Sequence, residues 1–331
     1  MLPLRLLETD SVPRLERLGC LRSRFRPHDC RKCEAACPRE AIEAEAGAVR
    51  IDPAACDGCM LCVPACPAEA LRPPGDGFLS VVEDLTDVEQ PVLGCRGRQD
   101  TEAHARVECL GQLSAEHLLT LGILVPDLSL NATACASCPR RASLPGLEVR
   151  LQQVRRVGAA GQNGHPRLVE DAGTQEAGSA LYDRRSFFKS LEKRWARRLA
   201  NGLDRLQGGK TPDRAKRPPE RTQLLAAALR RLPAGMREAA EDACLPRIWL
   251  TETCDHCGRC AAVCPTGALV RSRENGVRRL TALRARCTAC GLCESFCSRG
   301  GIGLTEGLSA TDLLSGTVQE EPCGSGGAAQ D

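Results

Sequence analysis

Cysteine spacing constrains this chain more than any other feature it has. Two runs share one pattern, Cys56-x2-Cys59-x2-Cys62-x3-Cys66-Pro67 and Cys254-x2-Cys257-x2-Cys260-x3-Cys264-Pro265. Each has a companion: Cys30-x2-Cys33-x3-Cys37-Pro38 before the first, and Cys287-x2-Cys290-x2-Cys293-x3-Cys297 after the second. A cubane iron–sulfur cluster offers four iron corners, each wanting one soft thiolate, and three cysteines at x2-x2 spacing wrap one face of it. Thiols placed in this way oblige the backbone to fold around what they hold.

Twenty-two cysteines in 331 residues could also spell a disulfide framework. The opening segment MLPLRLLETDSVPRLERLG has no continuous apolar stretch and no small-residue cleavage site, so it does not read as a secretory signal. The expected location is cytoplasmic, where closely spaced thiols bind metal rather than one another. Structural zinc favours Cys-x2-Cys pairs a dozen or more residues apart, which the four runs do not match. No stretch approaches eighteen apolar residues, so no membrane span is expected. A net charge of +3 does not by itself point to nucleic acid. Aromatic residues are only 2% of the chain, so ring-filled cores are not available and bound clusters would be a needed source of stability.

Residues 254–303 repeat the layout of 30–72. In each copy the cysteine runs are followed by an Ala-rich segment (PREAI, PAEAL, PTGAL) that fits a helical turn or two. A hairpin-like stretch lies between the runs, IEAEAGAVRID with Gly47 in one copy and LVRSRENGVRRL with Asn275-Gly276 in the other. The expected fold class is α+β. Two dicluster modules, at 1–75 and 244–310, flank a small α/β four-cysteine domain at 76–155. A basic linker follows at 156–243, with helices near 180–200 and 221–242, and a disordered tail at 311–331.

Both copies resemble bacterial-type 2[4Fe–4S] ferredoxins, over roughly 20–72 and 250–305. The resemblance implies four [4Fe–4S] clusters, with the last cysteine of each run serving the other cluster of its module. In the C-terminal copy one cluster would then sit on Cys254, Cys257, Cys260 and Cys297, the other on Cys287, Cys290, Cys293 and Cys264. Ser298 stands where the family has a proline, which changes stiffness and removes no ligand. In the N-terminal copy Cys56, Cys59, Cys62 and Cys37 follow the rule. The remaining set, Cys30, Cys33 and Cys66, lacks a member because Pro27 occupies the first position of its run. Three readings stay open: Cys20 loops in as the fourth ligand, His28 ligates through nitrogen, or a three-cysteine [3Fe–4S] centre forms.

Cys95, Cys109, Cys135 and Cys138 make a different constellation. Apolar runs deliver Cys95 (PVLGC) and Cys109 (ARVECLG). SAEHLLTLGIL, with Ser114 as N-cap, reads as a helix, and DLSLNATACASCP brings Cys135 and Cys138. The layout resembles the iron–sulfur delta subunit of methyl-viologen-reducing hydrogenases. The site is read as a further iron–sulfur cluster, a structural zinc or unligated buried thiols. Cys244 and Cys323 have no partner in spacing.

Asp183-Arg184-Arg185-Ser186-Phe187-Phe188-Lys189 mimics a twin-arginine signal, but its mid-chain position and charged sequel fit an amphipathic helix. Together with the Arg-rich 214–237 stretch it could face an acidic partner or simply water. The histidines show no metal spacing, and His256, between two ligands, is expected to tune a cluster. With no dinucleotide, Walker, flavin or Ser/His/Asp motif, the function read from the sequence is single-electron transfer without catalysis of its own. Resemblance suggests a hydrogenase, formate dehydrogenase or heterodisulfide-reductase-like complex as partner. The alternatives are an iron–sulfur redox sensor contacting nucleic acid, or an accessory subunit with a catalytic middle cluster.

Overall fold

The computed structural model describes residues 11–45, 47–75, 77–98, 101–157, 164–171, 216, 218–274, 276–305 and 307. The expected helix near 180–200, the 183–189 motif, Asn275, Cys323 and the tail lie outside these residues.

The N-terminal module runs β1 (Arg14–Leu15), α1 (Leu21–Arg24), α2 (Lys32–Ala35), β2 (Ile42–Glu45), β3 (Ala48–Ile51), α3 (Cys62–Ala65) and β4 (Leu71–Arg72). β1 pairs antiparallel with β4 and closes the unit, while β2 and β3 form a hairpin with Ile42 opposite Ile51. The sequence IEAE buries Ile42 and Ala44 and exposes Glu43 and Glu45, the period-2 pattern of a strand with one wet face.

The middle layer follows with α4 (Phe78–Thr86), β5 (Val92–Cys95), β6 (Ala105–Val107), α5 (Ala115–Leu124), β7 (Ser129–Asn131), α6 (Ser143–Val157), β8 (Arg167–Val169), α7 (Glu220–Leu229) and α8 (Ala234–Cys244). Its strands form one parallel sheet in the order β6-β5-β7-β8. A parallel sheet must be covered on both faces. Leu93 and Leu130 of the sheet pack in one core with Leu118, Leu119 and Leu121 of α5. Full burial of such a side chain stabilises by about 1.5–3 kcal/mol. Helix α5 begins as its sequence requires: Ser114 Oγ accepts the His117 N–H, and His117 Nδ1 accepts the Ser114 N–H, a reciprocal capping box.

Three expectations change here. The middle layer does not end at 155, because β8 forms its fourth strand. The 221–242 stretch, expected to be a linker with an exposed basic helix, sends Leu225, Ala228, Leu229 and Ala240 into the same core. It is also two helices, α7 and α8, with Pro233 capping the second, because proline cannot continue the first. Finally, the segments PREAI, PAEAL and PTGAL are turns leading into strands β2, β4 and β10 (Leu269–Glu274). The short helices lie inside the cysteine runs instead.

The C-terminal module repeats the first: β9 (Arg247–Leu250), α9 (Arg259–Val263), β10, β11 (Val277–Ala282), α10 (Leu292–Phe296) and β12 (Ile302–Thr305). β9 pairs antiparallel with β12, and β10 with β11. Arg284 fastens this module to the end of α8, through Asp242 Oδ1 at 2.8 Å and the carbonyls of Glu241, Leu245 and Pro246. Phe25 meets Phe296 edge to face, with ring centroids 5.0 Å apart, so the two modules touch directly. No helix of the described residues is long and apolar enough to cross a membrane.

Candidate metal centres

In the N-terminal module the thiols gather in two sets. Cys20, Cys30, Cys33 and Cys66 line one hollow of about 360 Å³, solvent-open space included, and Cys37, Cys56, Cys59 and Cys62 line another of about 320 Å³. Burial, and then the neighbouring Cys66, Cys30 and Cys20, push the Cys33 thiol up to about 12. Cys62 is raised by burial first and then by Cys59, Cys56, Cys33 and Cys37, so the two sets adjoin.

The C-terminal thiols divide in the same crossed manner. Burial raises Cys260, with Cys254, Cys257 and Cys297 adding to it. Burial, Cys290 and Cys264 push Cys287 up to about 11, and burial with Cys290 and Cys287 pushes Cys293 up to about 12. Among the described residues no group of three or more His, Cys, Asp or Glu side chains is drawn up as for one metal ion.

One local device recurs at the last cysteine of every run. The fourth residue after it turns back, and its N–H donates to Sγ: Ala41 to Cys37, Ala70 to Cys66 and Gly301 to Cys297, each at 3.3 Å. The residue before the donor has the left-handed backbone this return needs, with φ of +49 at Glu40, +48 at Glu69 and +60 at Gly300. This turn explains why the Ala-rich segments are not helical: an N–H bound to sulfur is withdrawn from a helix. At Cys264 burial works to raise the thiol, yet hydrogen bonds from Thr266, Leu269 and Ala268 outweigh it and leave the group below its usual range. Amide donors aimed at sulfur, inside hollows lined by four cysteines, fit thiolates that hold an iron–sulfur cube.

A second device separates the regular runs from the irregular one. In each Cys-x2-Cys-x2-Cys loop two residues are left-handed: Gly58 and Met60, His256 and Gly258, Ala289 and Gly291. These bends carry the chain round a cube face. At the corresponding place in the irregular run Arg31 has φ −121, so that loop is not wound in the same way. Cys20 reaches the hollow from the start of α1, one helical turn beyond the strand pair. Arg22 then locks α1 to the loop, through Asp29 Oδ1 at 2.7 Å, the Cys30 carbonyl at 3.3 Å and the Glu45 carbonyl at 2.9 Å. His28, put forward in one of the three readings of the missing ligand, does not line the hollow; its buried imidazole lies beside the Cys290 backbone of the other module.

Cys95, Cys109, Cys135 and Cys138 also converge. The Cys135 thiol is pushed up to about 12 by burial and then by Cys95, Cys109 and Cys138. Cys95 ends β5, Cys109 follows β6, and Cys135 and Cys138 follow β7, so all leave the carboxyl edge of the parallel sheet. The chain leaves β5 toward one side and β7 toward the other, and such a switch point opens a crevice for ligands. The site abuts the N-terminal module. Cys109 contributes to raising Cys59, which burial chiefly pushes up to about 12, and Arg140 Nε donates to the Asp57 carbonyl at 2.6 Å. Gly111 permits this approach, since a side chain there would run into the Cys59 carbonyl. Cys244 is an ordinary buried core residue whose thiol burial pushes up to about 12.

Two residues beyond the cysteines were not singled out from sequence. Arg221, at the start of α7, donates to the carbonyls of Cys66 at 2.8 Å and Pro64 at 3.3 Å while only 4% exposed. Glu69 accepts the N–H groups of Glu220 and Arg221 at 2.6 and 2.9 Å. Arg221 lies far in sequence from the cysteine run it serves, so the run's spacing carries no signal for it.

A family model described as 4Fe-4S dicluster domain matches residues 253–301, and one described as 4Fe-4S binding domain matches 49–72. The chain carries two 4Fe-4S ferredoxin-type domains. The second match takes in Cys56, Cys59, Cys62 and Cys66 and stops short of the irregular run. Neither reaches 73–252, so they lend no support to the likeness of the middle segment to a hydrogenase delta subunit. Over 51 residues the chain is 43% identical to the DNA-directed RNA polymerase subunit Rpo3 of Methanosarcina mazei. That stretch is 15% of this chain and 19% of the relative, so the chain spans less than a fifth of that protein.

Proposed function

We propose that the chain is a one-electron relay, with four cubane clusters in the two modules and a fifth iron–sulfur centre in the middle layer. The observation that carries this reading is continuity. Cys109 of the middle site packs in one core with Cys62, Cys33 and Cys20 of the N-terminal module, and Phe25 of that module meets Phe296, the neighbour of Cys297, in the C-terminal one. A bound cluster accepts or releases a single electron. The residues around it exclude water, donate amide N–H groups to sulfur and place charge nearby, the means by which a protein sets a cluster's potential. Proton transfer and substrate binding are not required of this chain, and its partner is a redox enzyme.

The reading is tested by counting iron and sulfide in anaerobically purified protein, together with a redox titration followed by EPR. It predicts about sixteen irons per chain for the two modules and about twenty with the middle centre. Zinc near one per chain would assign the middle thiols to zinc, and fewer than about twelve irons would overturn the four-cubane reading.

A further inference from the structure

We infer that the hairpin β10–β11 is the docking face for an acidic electron-transfer protein, which exchanges electrons with the iron–sulfur centre that Cys254, Cys257, Cys260 and Cys297 would hold. The inference rests on the relay reading and names the chemistry of its partner. Residues 247–305 hold nine arginines and four acidic residues, a net of +5, against +3 for the whole chain. The N-terminal module, at 11–72, holds ten basic and nine acidic residues, a net of +1. The positive charge is therefore local to one module.

Within that module the strand register concentrates it further. Arg271, Arg273 and Arg278 fall on the hairpin face that carries Leu269 and Leu280 into the module core. Arg271 lies against Gly258 and donates to the Cys257 carbonyl at 3.3 Å, which sets this face beside the Cys254–Cys260 loop. Arg273 and Arg278 stand directly opposite each other across the strands. Like charges in that position destabilise a sheet. All three arginines are exposed, so the hairpin holds a concentrated positive field in water beside the thiols. Carboxylates on a partner surface would relieve the repulsion and be steered to this end of the chain. Glu274 falls on the opposite face of the hairpin, and two acidic residues near the thiols are engaged: Asp255 Oδ1 accepts the Cys257 N–H and Oδ2 pairs with Arg299 at 3.6 Å, and Glu294 Oε1 accepts the Leu304 N–H. In the exchange one electron leaves the reduced centre of one protein and reduces the other's, with no proton or group transferred.

The test uses the full cluster-loaded chain, reduced anaerobically and mixed in stopped flow with two oxidants, an acidic blue-copper protein and basic cytochrome c. The second-order rate with the acidic acceptor should fall steeply between low and high salt, and the rate with cytochrome c should not. Arg273→Glu with Arg278→Glu should slow the acidic acceptor about tenfold and erase its salt dependence. Arg273→Gln with Arg278→Gln should give an intermediate loss. These variants leave Arg271 and the thiol loop in place, and their iron count and EPR should match the parent. A low iron count in the parent would defeat the relay and not the docking face. Unchanged salt dependence in the glutamate variant would overturn the docking proposal. So would mixed-sequence duplex DNA binding at 0.15 M salt through the same arginines while the acidic acceptor is indifferent to them.

Discussion

The two ferredoxin-type modules share a topology and differ in how they meet the rest of the chain. The C-terminal module has regular runs, paired left-handed bends in both loops and a strongly basic hairpin, and Arg284 holds it at the end of α8. The N-terminal module lacks one ligand turn and is built into the middle layer through Arg140, Gly111 and Arg221. The difference teaches what a lost ligand makes possible. With Pro27 where the regular runs have a cysteine, residues 25–28 face the other module, where Phe25 meets Phe296 and His28 lies beside Cys290. Cys20, beside the Arg22 clamp, lines the same hollow as Cys30, Cys33 and Cys66.

The largest effect should come from removing that substitute. Cys20→Ala should lower the iron count by about four and abolish one EPR signal, leaving those of the C-terminal module intact. An unchanged iron count would contradict the trade between Pro27 and Cys20. Next, Arg221→Met removes the cation that lies 3.8 Å from Glu69 and 3.6 Å from Glu116. Breaking a buried pair in this way costs about 3–5 kcal/mol. Denaturant unfolding should show the N-terminal module and middle layer destabilised together and the C-terminal module unaffected.

Acid should divide the regions in the same manner. His117, against Phe78 with centroids 4.0 Å apart, has its pKa lowered by burial from 6.5 to about 3. The unfolded chain then binds a proton that the folded chain refuses. Stability is full above about pH 6.5 and falls below it by about 1.4 kcal/mol per unit. His117→Phe should flatten that slope. A smaller contrast lies in the loops. Gly291→Ala, at φ +75, should cost about 1–2 kcal/mol, whereas Arg31→Ala, at φ −121, should cost almost nothing in thermal unfolding. Smallest of all, a double-mutant cycle of Phe25→Ala and Phe296→Ala should return about 0.5–1.5 kcal/mol of coupling.

The thiol sets were readable in the sequence because ligand spacing is local, and a cube admits few arrangements of three close cysteines and one distant. Both hairpins were readable for the same reason, through alternation and a central glycine. The middle layer was not. Its fourth strand and two of its helices come from residues after 155, whose arginines masked the Leu225, Ala228 and Leu229 face. The Ala-rich segments have a helical composition and fold as turns, because helix propensity is weak against an amide that finds a sulfur acceptor. Arg221 carried no signal, since its partners are backbone carbonyls some 155 residues away.

Continuity between the modules is the central claim, and EPR of the half-reduced chain tests it most directly. Neighbouring paramagnetic clusters split or broaden each other's signals. The account predicts such an interaction between a centre of the N-terminal module and one of the C-terminal module, lost in Cys20→Ala. Signals from the two modules that simply add, with no interaction in the parent chain, would contradict it.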